Sequence, residues 1–366
     1  MPIVQSAITI VLFILILGGL VVIHELGHFV VARMARIRVH EFGIGFPPRA
    51  RTLGSDGETL YTLNWLPIGG FVRLEGEDGD SDDPRSFTRA RLPVKLVVLV
   101  AGVFMNLVLA FLIFFFIAWL ATPLVGVRFT EVQPDSPASR AGLVVGDTVV
   151  SVDGQRYDAF ATDGASAVLV DLRARAGSEV TIGVKHADGT VTDVTTTLRS
   201  PEEIDASKGA LGIGGLSFAF DYVQQDIVTA LQVAAQRTVD AFLLIINGLG
   251  QLVSSLVSSP TTAPPVSGPV GIAVQVGDVF WQLGPIFTLY LAGLLSANLA
   301  LVNILPFPPL DGGRAVVTII KSMAGSRLSV QAERLTYLVG FVALFGLIIW
   351  VTFFDIVRQV TGGATP

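Results

Sequence analysis

The chain has 366 residues, 51% of them hydrophobic and only 15% charged, with a formal net charge of −6 and no cysteine. Together with a mean hydropathy of +0.67, this excludes an ordinary soluble globular protein and points to a membrane protein of about two or three units. The acidic balance and the lack of a Lys/Arg-rich block exclude nucleic acid as a partner, and without thiolates any bound metal must be held by His and carboxylate.

Residues 3–23 carry no charge and lead straight into His24-Glu25-Leu26-Gly27-His28, after which Phe29-Val30-Val31-Ala32 resumes the apolar run. The stretch has no basic start and no Ala-x-Ala site, so it reads as a first transmembrane helix, residues 1–32, rather than a cleaved signal. Ionisable side chains at bilayer depth are costly, which makes them functional candidates by default. On a helix, positions i and i+4 share a face, so His24 and His28 can offer imidazole nitrogens to one ion, with Glu25 beside them to take a proton from an attacking water. The spacing His-Glu-x-x-His is that of zinc proteases, here on a membrane span.

Residues 33–95 hold ten Arg and Lys residues, many near span ends, which makes this segment cytoplasmic and the N-terminus external. A second span is expected over 96–127. From 128 to 220 short β-branched runs such as Thr148-Val149-Val150-Ser151-Val152 alternate with Asp-Gly turns, the pattern of a mixed α/β domain on the outer side. Residues 221–282 are expected to form an interfacial helix and a Pro-containing linker, because Gln224, Asp226, Gln232, Gln236, Arg237 and Asp240 make the first half amphipathic. A third span over 283–313 ends in Pro306-Phe307-Pro308-Pro309-Leu310-Asp311-Gly312-Gly313. Asp311 is the first charge after a long apolar run, in a stretch where proline prevents a regular helix, and it is the best third ligand for a metal. A cytoplasmic loop (314–334), a fourth span (335–356) and a tail (357–366) complete the expected order. His40 and His186 are expected to be solvent-facing or locally bonded.

Within the outer domain, Gln133-Pro134-Asp135-Ser136-Pro137-Ala138, Ala141-Gly142-Leu143 and Val152-Asp153-Gly154 resemble the PDZ domains of bacterial envelope proteases. More broadly, the His24 to His28 motif, with Asn303-Ile304-Leu305-Pro306 and Leu310-Asp311-Gly312-Gly313, resembles the site-2 protease family, in its bacterial regulator-of-sigma-factor branch with a single PDZ domain. The resemblance implies a polytopic α-helical membrane protein with four transmembrane helices, a membrane-associated β-hairpin within 33–95 and an inserted mixed α/β PDZ domain. It further implies Zn2+ held by His24, His28 and Asp311, Glu25 as general base and Asn303 on the substrate backbone. The expected activity is that of a site-2-type zinc metalloendopeptidase cleaving single-span membrane proteins, such as anti-sigma factors or remnant signal peptides, in a bacterial inner membrane. Its partners would be those substrates, the lipid bilayer, and peptide termini or envelope proteins at the PDZ domain, with the active site towards the cytoplasm. In the second span Val103 stands where the family pattern has Pro, leaving a kink there open. The competing reading is a non-catalytic PDZ-containing membrane scaffold, against which stands the complete set His24, Glu25 and His28.

Overall fold

The computed structural model describes residues 3–361 except 78, 80, 162, 206–207 and 325–329, so part of the 314–334 loop and the end of the expected tail lie outside the described residues. In chain order the elements are α1 (Ile3–Met34), β1 (Val39–Ser55), β2 (Leu60–Leu74), α2 (Leu92–Ala121), β3 (Thr122–Arg128), β4 (Glu131–Val132), α3 (Pro137–Arg140), β5 (Thr148–Val152), β6 (Tyr157–Asp158), α4 (Ala167–Ala174), β7 (Glu179–Lys185), β8 (Val191–Thr197), β9 (Ile213–Gly214), β10 (Ser217–Val223), α5 (Ile227–Ser258), α6 (Pro269–Gln282), α7 (Pro285–Asn303), α8 (Asp311–Ala324) and α9 (Val330–Val360).

Five of these helices, α1, α2, α5, α7 and α9, are long and apolar enough to cross a membrane, by length and composition. That is one candidate more than the expected four. The difference is α5, a single 32-residue helix: polar residues crowd its first half, but from Ala241 onward it carries no charge, and that half makes the whole element apolar enough to count. The second span also differs in its end. The apolar run continues past Ala121, yet Thr122–Arg128 is a strand, β-branched and committed to a sheet. Helix α2 passes through Val103 without a break.

The chain divides into two compact units, one built from the residues up to Phe115 and from Gln232 onward, the other running from Phe116 to Leu231. The second unit is a six-stranded antiparallel sheet in the order β10-β3-β5-β7-β8, with β6 also pairing with β3. Val125, Val127, Val149, Val152, Ile182 and Val184, all fully buried, alternate on its inner face against Val168 and Leu172 of α4.

In the first unit, β1 and β2 are a hairpin folded twice. Residues 41–44 pair with 60–63 on one side and with 70–73 on the other, while 49–55 pair again with 60–64, so two long strands make a curled four-segment sheet. Buried Glu41 holds the fold-back: it accepts from Thr62 Oγ1 at 2.8 Å and Arg49 Nη2 at 2.9 Å, and Arg73 lies 3.3 Å away. Asn64 Nδ2 donates to Gly45 O at 3.0 Å across the bend. The sheet lies along α1, with Phe29 against Phe42 at 5.2 Å between ring centroids, and Pro67 O so close to Gly18 that a Cβ there would sit 3.2 Å from it. Trp65, Leu66 and Phe46, exposed near the bends, give the tip an apolar surface.

Candidate metal centre

Helix α1 carries His24 and His28 on one face, as the i, i+4 spacing requires, and α8 begins with Asp311. Asp311 is brought back to α1 by the irregular stretch after Asn303. Gly312 and Gly313 pack so closely on Ile304, Leu305 and Phe307 that an added Cβ would lie 2.0 Å from Ile304 O at the first position and 2.4 Å from Phe307 C at the second. No side chain fits there, so the Asp-Gly-Gly sequence is a requirement of the turn as well as the source of a donor carboxylate.

The three donor atoms form a triangle. His24 Nε2 is 2.9 Å from Asp311 Oδ2, His28 Nε2 is 3.3 Å from the same oxygen, and the two Nε2 atoms are 3.2 Å apart. A ring Nε2 has one lone pair or one proton, so it cannot satisfy two neighbours by hydrogen bonding. A central cation can. With ligand distances of about 2.0 to 2.1 Å, a tetrahedral zinc ion separates its ligands by about 3.3 Å, close to the three edges observed. Among the described residues, His24, His28 and Asp311 are the one group of three or more His, Asp or Glu with this spacing. The donor set therefore fits zinc.

Helix α2 supplies the surroundings. His28 Nδ1 donates to Val98 O at 2.7 Å, and Asn106 Nδ2 stands 3.3 Å from His24 Nδ1. Midway between them, Gly102 faces the donors, and a Cβ on it would lie 2.5 Å from His28 Nε2 and 2.7 Å from His24 Nε2. Gly27 of α1 allows the same approach from the other side, where an added Cβ would meet Ala101 O at 2.4 Å. Both histidines are thus held by their Nδ1 atoms with Nε2 turned inward. His24 and Asp311 are buried.

Glu25 is half-buried beside the triangle, its Cγ near the backbone of Gly70 in β2, where an added Cβ would lie 3.5 Å from it. Asn303 is the half-buried last residue of α7. The other two histidines are engaged locally: His40 Nε2 lies 2.6 Å from Glu75 Oε2, and His186 Nδ1 lies 2.9 Å from Asp147 Oδ1. Reasoning from the sequence missed Val98, Gly102 and Asn106 as parts of the site. Their signal was a four-residue step along an apolar helix, which marks a face but not what the face meets.

The model of peptidase family M50 matches residues 12–347. The chain belongs to peptidase family M50. It is 32% identical over 349 residues to a candidate zinc metalloprotease of Clostridium perfringens, the match spanning 95% of this chain and 98% of that protein. With the zinc metalloprotease RasP of Geobacillus kaustophilus it shares 26% identity over 437 residues, spanning 96% of this chain and 99% of the relative. Among the described residues, the triangle beside Glu25 is the one His, Asp and Glu group spaced to hold a metal ion.

Proposed function

We propose that in this M50 peptidase His24, His28 and Asp311 hold the zinc, Glu25 is the general base and Asn303 contacts the substrate backbone. The chain is a zinc metalloprotease of the site-2 type that hydrolyses peptide bonds within the membrane. The observation that carries the residue assignment is the donor triangle, at tetrahedral spacing, next to a glutamate on an apolar helix. Zinc, when bound, supplies Lewis acidity that polarises the scissile carbonyl and acidifies a water. Glu25 takes the proton of the attacking water on its carboxylate and passes it to the leaving amine nitrogen. His28 and His24, restrained through Nδ1, keep their Nε2 atoms in place without reorganisation during the reaction.

Substrates in this reading are single-span membrane proteins, anti-sigma factors or remnant signal peptides among them. A transmembrane helix hides its peptide carbonyls in its own hydrogen bonds and must unwind to be cut. The outer edge of the Gly70–Leu74 segment, beside Glu25, offers unpaired backbone groups to an extended substrate strand. The Phe116–Leu231 unit acts as the PDZ domain on the outer face and binds peptide termini or envelope proteins. The site faces the cytoplasmic side of a bacterial plasma membrane.

In this reading four helices cross the bilayer and α5 does not. Pro308, at the level of the site, touches Gly340 of α9; Trp350 is ten residues further, about 15 Å along the helix, and its Nε1 donates to Pro260 O. Arg237 of α5 lies over the ring of Tyr290, thirteen residues before Asn303 and so about 20 Å from the site along α7. From residue 237 to 258 a straight helix extends about 32 Å, while its level changes by only about 5 Å. Such a helix runs along the bilayer, not through it.

The test is Glu25→Gln. The variant should bind zinc as the parent does and lose at least about 100-fold in cleavage of a model single-span substrate in detergent. Unchanged cleavage would remove Glu25 from the mechanism. For the topology, Ser258→Cys should react with an impermeant maleimide added outside the cell and Arg73→Cys should not, the native chain having no cysteine.

A further inference from the structure

We infer that Asn106 is a positioning residue for the zinc ligand His24, its side-chain amide accepting a hydrogen bond from Nδ1 and so turning Nε2 to the metal. The inference rests on the assignment of His24 as a ligand. An imidazole that binds a metal through Nε2 carries its remaining proton on Nδ1, which then donates and needs an acceptor. For His28 that acceptor is the Val98 carbonyl. For His24 the hydrogen-bond neighbour of Nδ1 among the described residues is the Asn106 amide, at 3.3 Å.

Three observations make this amide more than a chance neighbour. Asn106 is fully buried in an apolar helix, where an amide is costly unless its polar atoms are used. Its Oδ1 has no hydrogen-bond partner among the described residues. Its backbone is also pinned: the fully buried Ser296 of α7 donates from Oγ to Asn106 O at 2.8 Å. A half-turn of the amide exchanges Nδ2 and Oδ1, brings the unpartnered acceptor to His24 Nδ1, and accounts for an otherwise unexplained buried oxygen. An asparagine suits this place because it can face either tautomer of the ring, as donor to a bare Nδ1 or acceptor from Nδ1–H. Val98, Gly102 and Asn106 recur every four residues, so one face of α2 orients both histidines and leaves room between them.

The experiment compares Asn106→Leu, which has nearly the same shape and no acceptor, with Asn106→Asp, which keeps one. Zinc affinity is measured on the full-length protein in detergent by competition with a chelating dye, and the His24 Nδ1 signal is followed by 15N NMR in the zinc-loaded protein. Asn106→Leu should weaken zinc binding by about 10- to 100-fold, whereas Asn106→Asp should stay within a few-fold of the parent and keep a hydrogen-bonded Nδ1–H. Parent-like zinc affinity in Asn106→Leu would overturn the inference, as would an equal loss in both variants, which would make shape rather than the acceptor the cause. Thermal unfolding of both proteins without zinc separates misfolding from lost orientation. His24→Ala serves as the reference: if it binds zinc like the parent, the ligand assignment itself is wrong, whereas if it loses zinc and Asn106→Leu does not, only the positioning role fails.

Discussion

Replacing Gly102 by alanine should separate stability from metal binding, because the two change in opposite directions. In a helix interior Gly→Ala ordinarily stabilises by about 1 kcal/mol, and α2 is continuous through this position. The new methyl, however, would lie 2.5 Å from His28 Nε2 and 2.7 Å from His24 Nε2, where ordinary contact begins at 3.4 Å. The imidazoles or the helix must therefore give by 0.7 to 0.9 Å, the two shortfalls from that limit. A catalytic group misplaced by about 1 Å costs on the order of 100-fold in rate. The zinc-free Gly102→Ala protein should melt at or above the temperature of the parent, while its zinc affinity and its cleavage of a single-span substrate each fall by at least about 10-fold. Gly19→Ala, on an exposed face of α1 with nothing within 4 Å of the new carbon, is the control and should leave both unchanged. Parent-like zinc binding and rate in Gly102→Ala would refute the claim that this face of α2 is fitted to the metal site.

Asp311→Ala should lower zinc content in metal analysis of the purified protein, and full occupancy would demote Asp311 to a structural role. Asp355, buried in α9, accepts from the Gly271 backbone N–H at 2.8 Å and so caps the start of α6 from another helix; Asp355→Ala should cost about 0.5 to 2 kcal/mol of stability, measured by thermal unfolding in detergent. Arg314 Nη2 donates to Glu77 Oε1 at 2.6 Å, and removing either side chain should cost about 1.5 to 3 kcal/mol, with the double variant costing less than the sum if the pair is coupled. In the second unit Asp171 is partly desolvated, which raises its pKa, but hydrogen bonds from Arg175 and Tyr157 outweigh this and hold it below the ordinary carboxylate value of 3.8. A depressed folded-state pKa contributes stability above the unfolded value and loses it as pH falls through the folded one. Amide-exchange protection of α4 should therefore drop as pH falls below about 4, and Asp171→Asn should remove that dependence.

The parts of the site legible in the sequence were those set by local geometry. His24 and His28 share a face because 3.6 residues make a turn, and Asp311 stood out because a charge after a proline-broken apolar run has few other uses. What the sequence did not disclose depends on which helix faces which. Asn106 and Gly102 sit in an apolar run whose periodicity is nearly uniform, so nothing local marks the face turned to His24. The doubled register of β1 and β2 was hidden for a related reason: the expectation was one β-hairpin within 33–95, and only pairing shows residues 41–44 flanked on both sides. Helix α5 was expected to be interfacial because polar and charged residues crowd its first half, although one helix carries that half together with the uncharged half from Ala241 onward.

The distribution of roles among the helices has a consequence for how such a site tolerates a membrane. α1 and α8 provide the donors, but the restraints on both imidazoles come from α2, through one carbonyl and one amide. Each ring nitrogen that does not point inward is thereby occupied, so burying the site leaves few unpaired polar groups to destabilise it. The same arrangement makes the metal site depend on the α1–α2 contact, where Gly27 lets the Ala101 backbone approach and Gly102 leaves room for the two imidazoles. A small slide of α2 against α1 would misorient both histidines together while leaving each helix intact. Zinc affinity in this protein is therefore a measure of helix packing as much as of ligand chemistry, and substitutions that loosen this contact should weaken zinc binding before they unfold the chain.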